Sequence, residues 1–300
     1  MTNRTRTRNT GIALMIASAV IFSSAGLFAK GVTAGAWEVI FWRGVFSALL
    51  TTLFIAARGS LASEFLGMGR AGLAAAVVGA SGSVAFISAF KLTTIANVAL
   101  IYAAAPMLAA LLAWLWMGER MTRTVALACL LTFAGVALIV GGSLGAINLT
   151  GDLLALWMTV VMAGYLVIYR RYPETPSAGP LVLASLLVLP PALIFGSPFE
   201  SPPAEIPVMA AFGLVFVLAS VAMAEGAKRL PSGETALLST LETPMAPVLA
   251  WLVLSEVPAV LTLAGGALIL TGILSSQIAE ARRSGARKGP SACASHQSSA

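Results

Sequence analysis

Long runs of apolar residues recur along the chain and are separated by short segments that contain glycine, proline and charged residues. Each run has about 20 residues, the length that a helix needs to cross the hydrocarbon core of a bilayer. None shows the strict alternation of a membrane β-strand. The pattern therefore predicts an all-α integral membrane protein with ten transmembrane helices, named spans 1 to 10, at residues 11–29, 36–57, 70–91, 96–117, 123–142, 151–170, 178–196, 206–228, 234–254 and 258–278.

Composition agrees with this pattern, because 58% of the 300 residues are hydrophobic and only 10% are charged. A soluble domain has roughly 25% charged residues to cover its surface. With the N-terminus in the cytoplasm, fifteen of the eighteen Lys and Arg residues lie on the cytoplasmic side, and only Lys30 and Lys91 lie outside. This bias predicts that both termini are cytoplasmic. The basic clusters flank membrane spans, so they do not indicate a nucleic-acid partner.

The second half of the chain repeats the first at an offset of 138 residues. Pro106–Met107 in span 4 corresponds to Pro244–Met245 in span 9, and one deletion later Gly118–Glu119 corresponds to Ser255–Glu256. Because five is odd, two five-helix halves enter the membrane in opposite directions, as in many secondary transporters with alternating access. The predicted divisions are a cytoplasmic N-tail, two repeats and a disordered cytoplasmic C-tail, at residues 1–10, 11–145, 146–278 and 279–300.

The residues that carry the repeat also resemble a known family. Pro106 through Gly118-Glu119-Arg120, Leu241 through Ser255-Glu256, and Arg43 in span 2 look like the signatures of EamA-type members of the drug/metabolite transporter (DMT) superfamily. The resemblance covers about residues 11–278 and is greatest to the YddG-type bacterial amino-acid exporters. It implies a ten-helix basket of two pseudo-symmetric halves around a central cavity. It also implies export of small metabolites, commonly amino acids, across a bacterial inner membrane. Ser255 departs from the pattern, since the family usually has glycine there.

Two charged residues inside the spans are the first candidates for a substrate site, because a charge at membrane depth is costly and needs a partner. Arg43 in span 2 either binds a substrate carboxylate or is a structural arginine that bonds helix carbonyls or pairs with a buried Glu. Glu242 in span 9 either binds a substrate ammonium, titrates as a proton carrier, or holds Arg43 structurally. Pro244 and Pro247 predict a kink beside it.

Uncharged polar and aromatic residues complete the candidate set. Trp157 and Tyr165 lie eight residues apart on one face of span 6, which favours a place along a substrate path. Small hydroxyl side chains also let membrane helices pack closely, so packing is the alternative role for each serine. The predicted substrate-binding residues are Arg43, Glu242, Tyr102, Trp157, Tyr165, Ser24, Ser83 and Ser239.

Other classes of function fit the sequence less well. An intramembrane enzyme lacks its groups, because the one histidine is in the tail, Asp152 is the only Asp, and no Lys lies deep in a span. No metal site, cofactor or ATP-binding loop is predicted. A channel would show a selectivity filter or rings of charge. A lipophilic-cation or drug exporter of the same superfamily remains open, since Glu242 and aromatic walls would suit its substrate.

The sequence thus predicts a carrier rather than an enzyme. Its partners would be a small-molecule substrate, an amino acid or similar metabolite, and membrane lipid. The chain would act as a monomer or weak homodimer in the bacterial inner membrane, with both termini in the cytoplasm.

Overall fold

The computed structural model describes residues 3–118, 123–142, 148–172, 174–227, 229, 238 and 241–287. Within these ranges the chain is helical and contains no β-strand. In chain order, α1 to α14 are Asn3–Ser23, Ala25–Lys30, Ala36–Ala57, Leu61–Leu66, Gly69–Leu92, Ile95–Tyr102, Ala105–Met117, Arg123–Gly142, Leu149–Arg171, Ala178–Leu187, Leu189–Phe195, Ile206–Ala227, Glu242–Leu254 and Val260–Arg287, with a 3₁₀ turn at Pro198–Glu200.

The helices agree with the ten predicted spans, so the all-α membrane fold is confirmed. In the described part of the chain, seven helical segments are long and apolar enough to cross a bilayer. These segments contain spans 1 to 4 and 6 to 8. Three shorter apolar helices, at Ala126–Gly142, Glu242–Leu254 and Val260–Ser275, lie in spans 5, 9 and 10. Ten apolar segments therefore match the ten spans read from the sequence.

Several spans are interrupted helices rather than continuous ones. Span 4 breaks at Ala103 and Ala104, between α6 and α7, and the helix in span 9 begins directly after a turn at Leu241. Leu241 follows Ala103 by 138 residues, so the two breaks obey the sequence repeat. Each break precedes a proline in the first turn of the next helix, where the missing N–H costs no hydrogen bond. The interruption in span 9 therefore comes before Pro244, while Pro247 lies inside α13.

The matching ends of α7 and α13 have the same left-handed backbone. Gly118 has φ 65° and ψ 20°, and its N–H bonds to the Trp114 carbonyl at 3.1 Å. Ser255 has φ 55° and ψ 26°, and its N–H bonds to the Trp251 carbonyl, also at 3.1 Å. This is a C-terminal helix cap for which glycine is the usual residue. Ser255 therefore adopts a conformation that its Cβ atom disfavours.

Packing between the helices follows a two-fold rule. Span 3 packs on span 6 as α5 on α9, and span 1 packs on span 8 as α1 on α12. Exchanging the two halves converts one pair into the other. Spans 5 and 10 pack on each other as α8 and α14, where a Cβ atom on Gly265 would lie 2.6 Å from the Gly135 carbonyl oxygen. Glycine thus permits the backbones to touch, as small residues commonly do between membrane helices.

The two caps make a paired stability prediction. Ser255→Gly should raise the free energy of unfolding by up to about 1 kcal/mol, because relief of left-handed strain exceeds the added entropy of the unfolded chain. Gly118→Ser should lower it by about 1 kcal/mol for the same reason. Thermal unfolding of purified protein in detergent measures both. Equal unfolding temperatures for Gly118→Ser and the unsubstituted protein would contradict the assignment of strain.

Candidate functional site

Arg43 is buried in the middle of the bundle, on α3, with 4% of its surface exposed. Its guanidinium Nη2 donates a hydrogen bond to the Ser83 hydroxyl on α5. Its Cζ atom lies 4.7 Å from the ring centre of Phe216 and 5.7 Å from that of Phe212, both on α12. Nε has no hydrogen-bond partner among the described residues. The cation is therefore held by one hydroxyl and two aromatic faces, with part of its donor edge unused.

Close helix packing holds the guanidinium in this place. A Cβ atom on Gly213 of α12 would lie 2.8 Å from the Cβ of Phe46 and 3.3 Å from the Arg43 carbonyl oxygen. This glycine lets α12 approach α3, and its neighbour Phe212 lies next to the guanidinium. Cation–π contact of this kind stabilises a charge that has left water. An unused donor edge in such surroundings suits a carboxylate, which guanidinium binds with matched geometry.

Glu242 is the first residue of α13 and is half-buried. The Ser23 hydroxyl points to its backbone carbonyl at 3.5 Å, and Tyr102 lies close enough for an electrostatic interaction with its carboxylate. Position at a helix N-terminus by itself favours a carboxylate. Among the described residues no ion pair joins Arg43 to a carboxylate, so the predicted alternative of an Arg43–Glu242 lock is not present in this structure.

Helix α1 lies between the two charged residues. The ring of Phe22 meets the ring of Phe216 edge to face at 5.9 Å, and Phe216 in turn carries the guanidinium of Arg43. The next residue, Ser23, points to Glu242. Ser24 forms the break between α1 and α2 and donates its hydroxyl to the Ile21 carbonyl at 2.6 Å. The structure thus groups Arg43 with Ser83, and Glu242 with Tyr102, on either side of this break.

The remaining predicted site residues lie apart from Arg43. Trp157 is 53% exposed and donates its indole N–H to Ser81 at 3.0 Å. Ser81 and Ser83 are two residues apart on α5 and so point to nearly opposite faces of that helix. Tyr165 is half-buried, and its ring stacks at a tilt on Tyr169 with 4.7 Å between centres. Ser239 lies outside the described residues.

Sequence reasoning missed a set of polar contacts at the end of the bundle that contains residues 31–35 and 197–205. The charge pattern predicts this to be the outer end. Lys30 of α2 forms an ion pair with Glu256 at 2.8 Å, and Glu256 also accepts a hydrogen bond from the backbone N–H of Ile95 at 2.5 Å. Lys30 and Ile95 lie in the first half of the chain and Glu256 in the second. The contacts therefore hold the halves together at this end.

A buried polar cluster adds to these contacts. Asp152 on α9 is fully buried and accepts hydrogen bonds from the Thr93 hydroxyl at 2.5 Å and the Asn97 amide at 3.0 Å. The Thr262 hydroxyl on α14 donates to the Asn97 side-chain oxygen at 2.6 Å. Four buried polar side chains from both halves are thus satisfied by one another. Such a network fixes the relative position of the helices that carry it.

Glu205, just before α12, joins the same end of the bundle. Its carboxylate accepts hydrogen bonds from the Thr33 hydroxyl at 2.7 Å and from the backbone N–H groups of Thr33 and Ala34 at 2.8 and 2.9 Å. The Thr33 hydroxyl, followed by these two N–H donors, lowers the pKa of Glu205 below its ordinary value. The ionised carboxylate is therefore the form that ties the loop at residues 31–35 to the second half.

An open groove of about 850 Å³ lies at the opposite end of the bundle. Residues near the ends of α5, α7 and α9 line it, among them Arg70, Trp116 and Arg171. None of the predicted substrate-binding residues lines this groove. It is therefore separate from the surroundings of Arg43.

The lowered pKa of Glu205 predicts a pH-dependent stability. A carboxylate with a lowered pKa stabilises the fold above its unfolded pKa, and this contribution disappears as the pH falls through the folded value. Glu205→Gln should therefore unfold at a lower temperature than the unsubstituted protein at pH 7, and the difference should vanish below about pH 4. Glu200→Gln, on the exposed 3₁₀ turn nearby, is the matched control and should show no such difference. A gap that persists unchanged to pH 3 would contradict the role of the ionised form.

Comparisons with known proteins identify the fold and the family. A protein of known crystal structure superposes on this chain with a TM-score of 0.62 and 19% sequence identity, and the match covers 91% of this chain and 98% of that one. At this identity the likeness establishes the fold alone. The comparison with curated proteins found no match. The model of the EamA-like transporter family matches twice, at residues 9–141 and 149–276, which together make up most of the sequence. The chain therefore belongs to the EamA-like transporter family of multi-pass membrane proteins that carry small molecules.

Proposed function

We propose that this transporter exports amino acids, aromatic and other neutral ones, across a bacterial inner membrane by alternating access. The observation that carries the proposal is the buried guanidinium of Arg43, whose Nε has no partner among the described residues. A substrate carboxylate would supply that partner with charge-assisted hydrogen bonds. Phe212 and Phe216, which already face the guanidinium, would give an apolar wall for the substrate side chain.

The separation of Arg43 from Glu242 supports a zwitterionic substrate. If the two residues formed an ion pair, neither charge would be available, but Arg43 contacts Ser83 and aromatic rings instead. Glu242, with Tyr102 beside it, can receive an ammonium group. A phosphorylated substrate would call for several basic residues, and the predicted spans contain only Arg43.

Alternating access is supported by the relation of the two halves, which we propose to be residues 11–145 and 146–278. The contacts of Glu256, Asp152 and Glu205 described above all cross between the halves at the predicted outer end. Breaking them would let one half rock against the other around a fixed site, as in other inverted-repeat carriers. We propose cytoplasmic termini at residues 1–10 and 279–300, and a monomer or weak homodimer as the functional unit.

Glu242 favours a second candidate, the export of lipophilic cations. A half-buried carboxylate beside Tyr102 can bind a cation, with aromatic rings as further contacts. In that case the Arg43 guanidinium would stay on Ser83 and would not touch the substrate.

Counterflow of labelled amino acids into liposomes that contain the purified protein tests the proposal. Saturable exchange is expected for aromatic and other neutral amino acids, with and without a pH gradient. Arg43→Gln should raise the half-saturating concentration by roughly tenfold or more, because hydrogen bonds to a charged group contribute about 1.5–3 kcal/mol. Movement of lipophilic cations without any amino-acid exchange would overturn the amino-acid proposal in favour of the second candidate.

A serine pair on α5 sharpens the test of the site. Ser83→Ala removes the hydroxyl that orients the Arg43 guanidinium and should raise the half-saturating concentration by roughly tenfold. Ser81→Ala is the matched control, because Ser81 bonds to Trp157 on another face of the helix. The control should change amino-acid exchange by less than about twofold. Equal effects of the two substitutions would show that Arg43 is not the binding group.

A further inference from the structure

Three buried polar side chains follow one another on a single face of α3. Arg43, Ser47 and Thr51 are four residues apart and are only 4%, 1% and 3% exposed. In the part of the chain that the structure describes, the Arg43 Nε, the Ser47 hydroxyl and the Thr51 hydroxyl all lack a hydrogen-bond partner. Unsatisfied polar groups are costly in a bilayer, where no solvent replaces the missing bond.

Other hydroxyls in these helices satisfy themselves locally. Thr52 donates to the Ala48 carbonyl at 2.7 Å, and Ser185 donates to the Leu181 carbonyl at 2.9 Å, each four residues back. Ser47 and Thr51 have the same option on α3 but do not take it. Two further buried hydroxyls without partners, Thr132 and Ser201, stand alone and have no second such group on the same helix face. The stripe on α3 is therefore distinct from ordinary helix packing.

We infer that Arg43, Ser47 and Thr51 form a polar track that binds water and the polar groups of the substrate between Arg43 and the inner end of α3. With a rise of 1.5 Å per residue, the track is about 12 Å long. Its hydroxyls face the same way as the unused edge of the guanidinium, so each can take a hydrogen bond from a passing ammonium or give one to a carboxylate. This inference rests on the proposed function, since the ligand is a small zwitterion.

Charge and closure set the direction of the track. Arg43 lies seven residues inside the first residue of α3, Ala36, and Thr51 lies six residues before its last residue, Ala57. The predicted outer end is closed by the ion pair of Lys30 and Glu256. The track therefore serves the inner side, from which an exporter takes up its substrate.

Thiol labelling tests the track directly. In a background with Cys129→Ser and Cys293→Ser, the variants Ser47→Cys and Thr51→Cys are compared with Thr52→Cys, the adjacent control. The probe is the membrane-impermeant anion 2-sulfonatoethyl methanethiosulfonate, applied to inside-out vesicles. Ser47→Cys and Thr51→Cys should react at least tenfold faster than Thr52→Cys. Equal rates for the three variants would overturn the inference.

Protection by substrate separates this inference from the proposed function. Labelling that slows in the presence of an exchanged amino acid supports both. Fast labelling without protection by any amino acid supports a water-filled track and overturns the amino-acid proposal alone.

A second set of variants excludes a packing role. Ser47→Ala and Thr51→Val remove unsatisfied hydroxyls, so the unfolding temperature should stay unchanged or rise while the exchange rate falls about tenfold. Thr52→Val should leave the exchange rate unchanged. Lower unfolding temperatures with unchanged exchange for Ser47→Ala and Thr51→Val would assign these residues to helix packing and overturn the track.

Discussion

A guanidinium in the hydrocarbon layer is the constraint around which the centre of this bundle is arranged. Insertion of an arginine at the middle of a membrane helix costs about 2.5–3.5 kcal/mol, and the group cannot lose its proton to avoid the cost. The protein surrounds Arg43 with a hydroxyl from α5 and two phenylalanine rings from α12 rather than with a carboxylate. That choice stabilises the charge without neutralising it. An arginine with only a structural role would be better served by a buried Glu.

The second constraint is that the halves must be held together at one end while remaining able to separate. At the predicted outer end this is done by polar contacts, including the ion pair of Lys30 with Glu256 and the three hydrogen bonds to Glu205. Exposed or half-buried polar contacts are weak enough to exchange with water. An apolar seal of the same extent would be harder to open. The buried Asp152 cluster is a firmer contact, because its members satisfy one another away from solvent.

The fold could be predicted from the sequence because the period of the apolar runs and the offset of 138 residues are local properties. Even the helix break at Leu241 lies where the repeat with Ala103 places it. The site was harder to predict, since helix rotation decides which polar residues face one another. Arg43 could be identified by its charge, and Ser47 and Thr51 were visible at four-residue spacing from it. Phe212 and Phe216 carried no signal, because aromatic residues are common in every span. Glu256 looked like part of a motif, and its ion pair with Lys30 depends on packing between the halves.

Comparison of the two repeats separates the residues that shape the protein from those that give it chemistry. The left-handed caps at Gly118 and Ser255 and the breaks at Ala103 and Leu241 occur in both halves, so they belong to the scaffold and its motion. The charges do not obey the repeat. Residue 104, which corresponds to Glu242, is an alanine, and span 7, which corresponds to span 2, has no charged residue at all. A symmetric scaffold has no need of a cation in one half and an anion in the other. An asymmetric substrate does, because the carboxylate and the ammonium of an amino acid must each find one partner in a cavity that both halves form.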